Sequence, residues 1–203
     1  MEPLSTIDIY KDSDLIVETT TVCNKSCDYC PFSGNNQIKK ILDFNIYINK
    51  IKKLKNRSIV AIRGGEPTII NGWFNKFVQP ALDLDLQIII ETNGYFIGKD
   101  DYLEVLSNLA HKDIFMRVSF DRQHINGFNE KQMDTEFFKM AFFAEDALSL
   151  GINFGFYCVG MTENDISLFI KGTKLEPYLR LFHFLVEHND YFEEIKIEKY
   201  LKP

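Results

Sequence analysis

Short apolar segments that alternate with longer segments of helical periodicity constrain the fold of this sequence more than any other feature. Five runs are rich in β-branched and aromatic residues and apolar nearly throughout, as parallel strands covered on both faces are. They span residues 14–21, 58–64, 86–92, 114–120 and 152–159. A sixth run, residues 193–200, alternates apolar and polar residues and predicts a strand with one wetter face. Helical periodicity occupies the intervals, at about residues 38–55, 72–83, 100–111, 132–149 and 164–189.

This alternation of six strands and five helices predicts an α/β fold built from βα units around a parallel sheet. The pattern allows a flat doubly wound sheet or a curved partial barrel, and both bind ligands at the carboxyl ends of their strands. The chain has 203 residues, of which 45% are apolar, and no linker or low-complexity tract divides it. We therefore expect residues 1–203 to form a single domain with a sizeable core.

Charge and hydropathy limit the compartments and the binding partners that we expect for this chain. The amino terminus lacks the layout of a secretory signal, and no apolar run approaches the roughly 18 residues of a membrane span, so we expect a cytoplasmic protein. The formal net charge of −6 gives no overall attraction to nucleic acid. The locally basic segment 39–57 places Lys and Arg between apolar positions at helical spacing, which is more typical of a solvated helix face than of a surface for RNA or an acidic partner.

Polar or glycine-rich segments follow five of the predicted strands. They are the cysteine-containing segment 19–32, "RGGEPT" at 63–68, "ETNG" at 91–94, "SFDRQH" at 119–124 and "YCVGMTEN" at 157–164. Because the carboxyl ends of parallel strands meet at one edge, these segments predict one shared pocket.

Three of the four cysteines, Cys23, Cys27 and Cys30, have the spacing C-x3-C-x2-C. A structural zinc site closes with four ligands, and the nearest histidine, His111, lies far beyond the usual spacing. A redox C-x-x-C pair needs no third thiolate, and an electron-transfer cluster takes four cysteines, of which the only other one, Cys158, lies inside a predicted strand. Three ligands on a cubane would leave one iron open to a substrate.

With Tyr29 directly before the third cysteine and "GGEP" after the second strand, the chain resembles the radical S-adenosylmethionine (radical SAM) superfamily. The resemblance covers nearly the whole chain and implies a partial (β/α)6 TIM-like barrel of parallel strands, a [4Fe-4S] cluster on the three cysteines, and S-adenosylmethionine (SAM) at the open iron. In that family the cluster cleaves SAM reductively to a 5′-deoxyadenosyl radical, which abstracts hydrogen from the substrate. The resemblance also implies an electron donor such as flavodoxin or ferredoxin.

The resemblance implies cofactor contacts at eight positions. These are Tyr29, Gly64, Gly65, Glu66, Asn93, Ser119, Asp121 and Val159. By this matching, the "GGEP" segment meets the amino group of SAM, the third and fourth strand ends meet its ribose and carboxylate, and the remaining two positions flank adenine. A carboxylate such as Glu66 can accept hydrogen bonds from an ammonium group. The alternatives are a strand-ending turn for "RGGEP", an Asn-Gly turn at Asn93 and a helix cap at Asp121.

Cys158 and His124 are the candidate catalytic residues outside these contacts. Cys158 shares a strand face with Phe154 and Phe156, and if that face points into the barrel, its S–H bond could quench a substrate radical, as a thiol does in the peptide epimerases of the family. The alternative is a small buried hydrophobe. His124, three residues after Asp121, could act as an acid or base or hold a substrate carboxylate, or it could be a loop histidine without a role.

The preferred hypothesis is a radical SAM enzyme that acts on a peptide or another small biosynthetic intermediate. No cysteine follows Cys158, so we expect a single cluster and no auxiliary-cluster domain. A glycyl-radical-enzyme activase is the alternative within the family. A non-catalytic iron–sulfur or zinc module would explain the cysteines but not the motifs at successive strand ends. Arg63 indicates an anionic or amide partner, whereas Arg117, inside a strand, is expected to pair with a neighbouring acid.

Overall fold

The structure is a computed structural model, and it describes residues 12–30 and 40–185. Its strands are β1 (Leu15–Glu18), β2 (Ile59–Arg63), β3 (Gln87–Thr92), β4 (Ile114–Ser119), β5 (Phe154–Val159) and β6 (Phe182–Leu185). Its helices are α1 (Phe44–Ile51), α2 (Gln79–Leu82), α3 (Tyr102–Leu109), α4 (Glu130–Ser149) and α5 (Glu163–Ile170). A π-helical turn, Phe74–Val78, leads into α2, and 3₁₀ turns occupy Pro67–Ile69, Arg122–Ile125 and Glu176–Leu181.

The order of the strands decides between the two predicted architectures. Six strands form one sheet in the order β1-β2-β3-β4-β5-β6, and every neighbouring pair is parallel. A doubly wound sheet reverses its order at a switch point, whereas right-handed crossovers that always step in the same direction place the helices on one side of a curved sheet. The fold is therefore an open sheet of the partial TIM-like barrel type, as predicted.

The two faces of the sheet differ in how much apolar surface they bury. Val118 and Phe156 belong to the large core cluster that also contains Phe143 of α4, so their face is the helix-facing side. Phe115 and Tyr157 belong to a smaller cluster of strand residues on the opposite face, the barrel-facing side. Because side chains alternate along a strand, the residues between the core positions are presented on the barrel-facing side.

The predicted helix over 164–189 is wrong beyond Ile170. Gly172 has a φ of 74°, in the left-handed region that favours glycine, and Pro177 begins the 3₁₀ turn that follows. The chain then enters β6, where Phe182 lies opposite Phe156 in the parallel register with β5. The strand predicted at 193–200 lies outside the described residues.

The basic segment after the cysteines forms a shorter helix than the predicted 38–55, since α1 ends at Ile51. Tyr47 and Ile51 of α1 are buried, and the lysines at positions 52, 53 and 55 are exposed but follow the helix and do not lie on its face. In residues 12–30 and 40–185 no helix has the length and apolar character that a membrane span requires.

Candidate functional site

The three clustered cysteines lie on a loop whose ends are joined by backbone pairing. Thr20 and Ile41 form an isolated antiparallel bridge, and the hydroxyl group of Thr20 donates to the carbonyl of Lys40 at 2.8 Å. The hydroxyl oxygen of Thr21 accepts from the backbone N–H of Lys40 at 2.9 Å. The threonines that precede the cysteines therefore fix the base of the loop.

The two glycines after β2 lie directly against the segment that leads to the first cysteine. The backbone N–H of Gly65 donates to the carbonyl of Thr20 at 2.6 Å, and that of Glu66 donates to the carbonyl of Val22 at 2.7 Å. A Cβ atom at Gly65 would collide with the Val22 carbonyl, and Gly64 has a φ of 140°. The glycines thus allow two backbone segments to pair where any larger residue would separate them.

Glu66 is almost fully buried, and protein groups occupy its carboxylate. One oxygen accepts from the backbone N–H (3.0 Å) and the hydroxyl group (2.6 Å) of Thr68 and from the hydroxyl group of Thr92 (2.7 Å). The other accepts from the backbone N–H of Asn93 at 2.6 Å. Burial raises the pKa of this carboxyl group, and the hydrogen bonds oppose the rise. Glu66 therefore connects the carboxyl ends of β2 and β3, while its contact with an ammonium group stays a prediction.

Asn93 connects the end of β3 to the cysteine loop. Its side-chain N–H group donates to the side-chain oxygen of Asn24 at 2.9 Å and to the Sγ of Cys23 at 3.5 Å. The Oδ1 atom of Asn93 is buried and has no hydrogen-bond partner among residues 12–30 and 40–185. Buried amide oxygens are normally paired, so this atom is available to a donor on a bound ligand.

Asp121 joins the end of β4 to two other segments of the site. Its Oδ1 accepts from the backbone N–H of Gln123 at 2.9 Å and lies 2.9 Å from the Nδ1 of His124. Its Oδ2 accepts from the hydroxyl group of Tyr29 at 2.8 Å and from the backbone N–H of Val159 at 3.3 Å. Burial opposes ionisation of Asp121, but these hydrogen bonds outweigh it, and the pKa of the carboxyl group lies below its ordinary value.

The thiols of the cysteine loop are close enough to repel one another when they ionise. Burial, followed by the charges of Asp121 and of the two other cysteines, raises the pKa of Cys27 to about 12, and a hydrogen bond with Tyr29 opposes the rise. Burial also raises the pKa of Cys23. A cationic group bound by all three thiolates would remove this repulsion. Among residues 12–30 and 40–185, no three His, Cys, Asp or Glu side chains are grouped as a single metal ion requires. The fit to an iron–sulfur cluster therefore rests on the chemistry of the three thiols, which are the ligands that such clusters take.

A cavity of about 300 Å³ opens beside the cysteine loop, at the ends of β4 and β5. Its lining includes Tyr29, Asp121, Val159 and Met161. This volume lies at the lower end of the roughly 300–1,000 Å³ that small-molecule sites occupy. The structure thus brings together Tyr29 and the segment after β5, and their contact with adenine stays a prediction from the family resemblance.

Two other candidate residues at the strand ends lie on opposite faces of the sheet. Ser119 ends β4 in register with Tyr157 and lies on the barrel-facing side. Cys158 belongs to the helix-facing core, is fully buried, and donates its S–H to the carbonyl of Phe120 at 3.0 Å. A hydrogen-donor role requires the face that carries Cys158 to point into the barrel, and the structure places it on the opposite face.

His124 is buried behind the cavity and contacts Asp121. Its carbonyl accepts a hydrogen bond from the Nζ of Lys25 at 2.9 Å. Lys25, a residue that sequence reasoning missed, also donates to Glu136 of α4 at 3.3 Å and lies 4.7 Å from the ring centre of Phe128. Lys25 connects the cysteine loop to the 3₁₀ turn after β4 and to α4, across 99 and 111 positions of sequence, and no local pattern signals contacts of that range.

The chain matches one family model and resembles two curated proteins. Residues 17–168 match the family model described as the Radical SAM superfamily. An uncharacterized protein of Methanocaldococcus jannaschii, MJ0907, is 29% identical over 119 residues, which cover 55% of this chain and 40% of that protein. The sporulation killing factor maturation protein SkfB of Bacillus subtilis is 26% identical over 117 residues, which cover 57% of this chain and 28% of that protein. The matches thus span less than half the length of these curated relatives.

Solved structures share the fold. The structure of anSMEcpe with bound AdoMet matches with a TM-score of 0.61 at 18% identity, over 92% of this chain and 54% of that chain. The same protein with bound AdoMet and the Kp18Cys peptide matches with a TM-score of 0.61 at 21% identity, with the same coverage.

Proposed function

We propose that this chain, which belongs to the radical SAM superfamily, is a radical SAM enzyme that acts on a peptide. The observation that carries the proposal is the presence, at one rim of the sheet, of three thiols that influence one another's ionisation, the available oxygen of Asn93 and a ligand-sized cavity. A binding module would need the thiols alone, whereas a cofactor that reacts with a substrate needs all three features together.

Different residues at the rim would hold the cluster and SAM. Cys23, Cys27 and Cys30 would hold the [4Fe-4S] cluster, which together with bound SAM supplies the 5′-deoxyadenosyl radical that abstracts hydrogen from the substrate. Asn93 accepts a hydrogen bond from the cofactor at the Oδ1 atom that the protein leaves without a partner. The hydrogen bond from Tyr29 to Asp121 holds the cysteine loop against the cavity wall, which orients both ligands.

The relatives favour a peptide over a small metabolite. SkfB is named as the maturation protein of the sporulation killing factor, and anSMEcpe is known with a bound peptide. The strand order leaves β1 and β6 as the edges of the sheet in the described part of the chain, so an extended substrate can reach the barrel-facing side from an edge.

Formation of 5′-deoxyadenosine tests the proposal. Anaerobically reconstituted, reduced protein is mixed with SAM and with either nothing, a low-molecular-weight cell filtrate or the macromolecular retentate. We expect the retentate to stimulate 5′-deoxyadenosine formation, because it contains the peptides and proteins. Stimulation by the filtrate instead would indicate that the substrate is a metabolite and would contradict a peptide substrate. No cleavage by protein that carries a full cluster would contradict the enzyme and favour the binding module.

Two cysteine variants provide the matched controls. Cys27→Ala should lose the brown chromophore and all 5′-deoxyadenosine formation, because two protein ligands hold a cubane poorly. Cys158→Ala removes the same group from the helix-facing core and should keep both. A stable full cluster in Cys27→Ala would contradict the assignment of the ligands.

A further inference from the structure

A row of charged side chains crosses the barrel-facing side of the sheet just below the rim. Glu18 and Arg63 are partners in the register of β1 and β2, and Glu91 and Arg117 are partners in the register of β3 and β4. The Nε of Arg63 lies 3.6 Å from one carboxylate oxygen of Glu91, and the Nε of Arg117 lies 3.7 Å from the other. Acids and bases therefore alternate across four strands.

The row continues on β5 and β6 as a stack of aromatic rings. The guanidinium group of Arg117 lies 4.1 Å from the ring centre of Tyr157, and the ring of Tyr157 stacks on that of His183 at 4.8 Å and 14°. Gly155 makes room for the stack, because a Cβ atom there would lie 2.6 Å from the ring of His183. The stack fixes one face of the Arg117 guanidinium and leaves its edge for hydrogen bonding.

The hydrogen bonding of Arg117 is incomplete. Its side chain is only 7% exposed, and its Nε is buried without a hydrogen-bond partner in residues 12–30 and 40–185. The distance of 3.7 Å to Glu91 is beyond the roughly 2.7–3.2 Å of an N–H···O hydrogen bond. A buried guanidinium donor without an acceptor costs free energy, so its presence indicates an acceptor that arrives with a ligand.

We propose that Arg117 binds a carboxylate group of the substrate on the barrel-facing side of the sheet. The planar fork of a guanidinium group matches the two oxygens of a carboxylate. Glu91 lies beside the same Nε and would repel a dianion more strongly than a monoanion, which favours a carboxylate over a phosphate. The inference rests on the proposed function and names its substrate class: a peptide with an acidic side chain or a free carboxyl terminus at the reacting segment.

The position of Arg117 separates this subsite from the cofactor. Arg117 precedes Ser119 by two residues on the same face of β4, which places it about 6.6 Å farther from the rim. The groups that surround the cofactor cavity, Asp121 and Val159, lie at the rim itself. A substrate that enters the barrel beneath the cofactor would therefore meet Arg117 first.

The arginine side-chain signals in an NMR spectrum test the subsite directly. The chain has only five arginines, so the Nε–H signals are few, and Arg117→Lys identifies the signal of Arg117 by its loss. The cluster-loaded full chain is titrated with acetate, with acetamide as the neutral match and with chloride at equal ionic strength. We expect a saturable shift of the Arg117 signal with acetate alone, while the exposed Arg180 responds only to ionic strength. No saturable shift of the Arg117 signal with acetate would overturn the inference.

A second titration distinguishes the substrate from the cofactor as the source of the carboxylate. If Arg117 binds the carboxylate of SAM, then SAM will shift the Arg117 signal and block acetate, whereas decarboxylated SAM will not, and the inference fails. We expect the acetate titration to be the same with and without SAM. Glu91→Gln removes the competing carboxylate and should tighten acetate binding by about tenfold, the size of one charge-assisted hydrogen bond. Neither titration requires turnover, so the result is independent of 5′-deoxyadenosine formation.

Discussion

At the scale of single residues, Asp121 joins three segments of the rim through one carboxylate. It contacts the hydroxyl group of Tyr29 in the cysteine loop, the ring of His124 and the backbone N–H of Val159. Its neighbours are donors, so the ionised form is the one that the folded protein stabilises.

The variant Asp121→Asn should therefore lower the free energy of unfolding in a pH-dependent way. The folded pKa of Asp121 lies below the ordinary value of 3.8, so the native state binds fewer protons than the unfolded state. The stabilisation is fully present above pH 3.8 and is lost as the pH falls through the folded pKa. We expect a loss of about 1–3 kcal/mol near neutral pH, which shrinks under acid conditions. Denaturant unfolding of reduced apoprotein over a series of pH values measures the difference, and a difference that is constant down to acid pH would contradict it.

Cys158 illustrates what a sequence can and cannot establish about a residue. Strand periodicity correctly groups it with Phe156 on one face, because side chains alternate. Which face meets the helices depends on the direction in which the crossovers step, and that is a property of the whole sheet. Glu66 is a similar case: a carboxylate at a strand end is visible in the sequence, and Thr68 contacts it locally, but the hydroxyl group of Thr92 becomes its neighbour only after β2 and β3 pair.

At the scale of elements, the loop after β2 supports the loop that carries the cysteines. Gly65→Ala should therefore disturb the cysteine loop through the backbone that it packs against. The new Cβ atom would collide with the carbonyl of Val22 and separate the two backbones. We expect a free energy of unfolding lower by about 1–3 kcal/mol and a loss of cluster incorporation. Denaturant unfolding measures the first, and iron and sulfide content after reconstitution measures the second.

Gly72→Ala is the matched control for this prediction. Gly72 has a φ of 67° and open space around it, so alanine there adds only backbone strain of about 1 kcal/mol. We expect normal iron content in Gly72→Ala. If both variants lost the cluster equally, close packing of the loops would not be the cause.

The last helix shows why element boundaries are harder to predict than element types. Helical periodicity predicts a helix over 164–189, and Gly172 and Pro177 lie inside that range. In the structure these two residues end the helical segment, and the exposed edge of β5 recruits the next residues as β6. The edge of β5 that β6 pairs with exists only after the first five strands have formed a sheet. The local sequence pattern therefore does not predict the position of β6.

At the scale of the whole molecule, the large apolar core and the charged row lie on opposite faces of the sheet. The large apolar cluster lies on the helix-facing side, and the charged row and the cavity lie on the barrel-facing side and at the rim. Strand alternation in the sequence predicts the sheet and the rim, because both follow from the order of elements. The charged row is not predictable in this way, since its members come from four strands whose register is set by tertiary packing.

Hydrogen exchange with and without SAM tests this division on the cluster-loaded protein. Amides in the middle of β3 and β4 exchange through unfolding of the whole sheet, so SAM at about 100 times its Kd should slow them by about 100-fold, equivalent to about 2.7 kcal/mol. The amides of Asn93 and Val159 donate to carboxylates at the rim, so we expect SAM to slow their exchange as well. Mass spectrometry of exchanged peptides measures both effects, and Cys27→Ala should lose them together. Protection that is concentrated at the amino-terminal ends of the strands would contradict a cofactor site at the carboxyl rim.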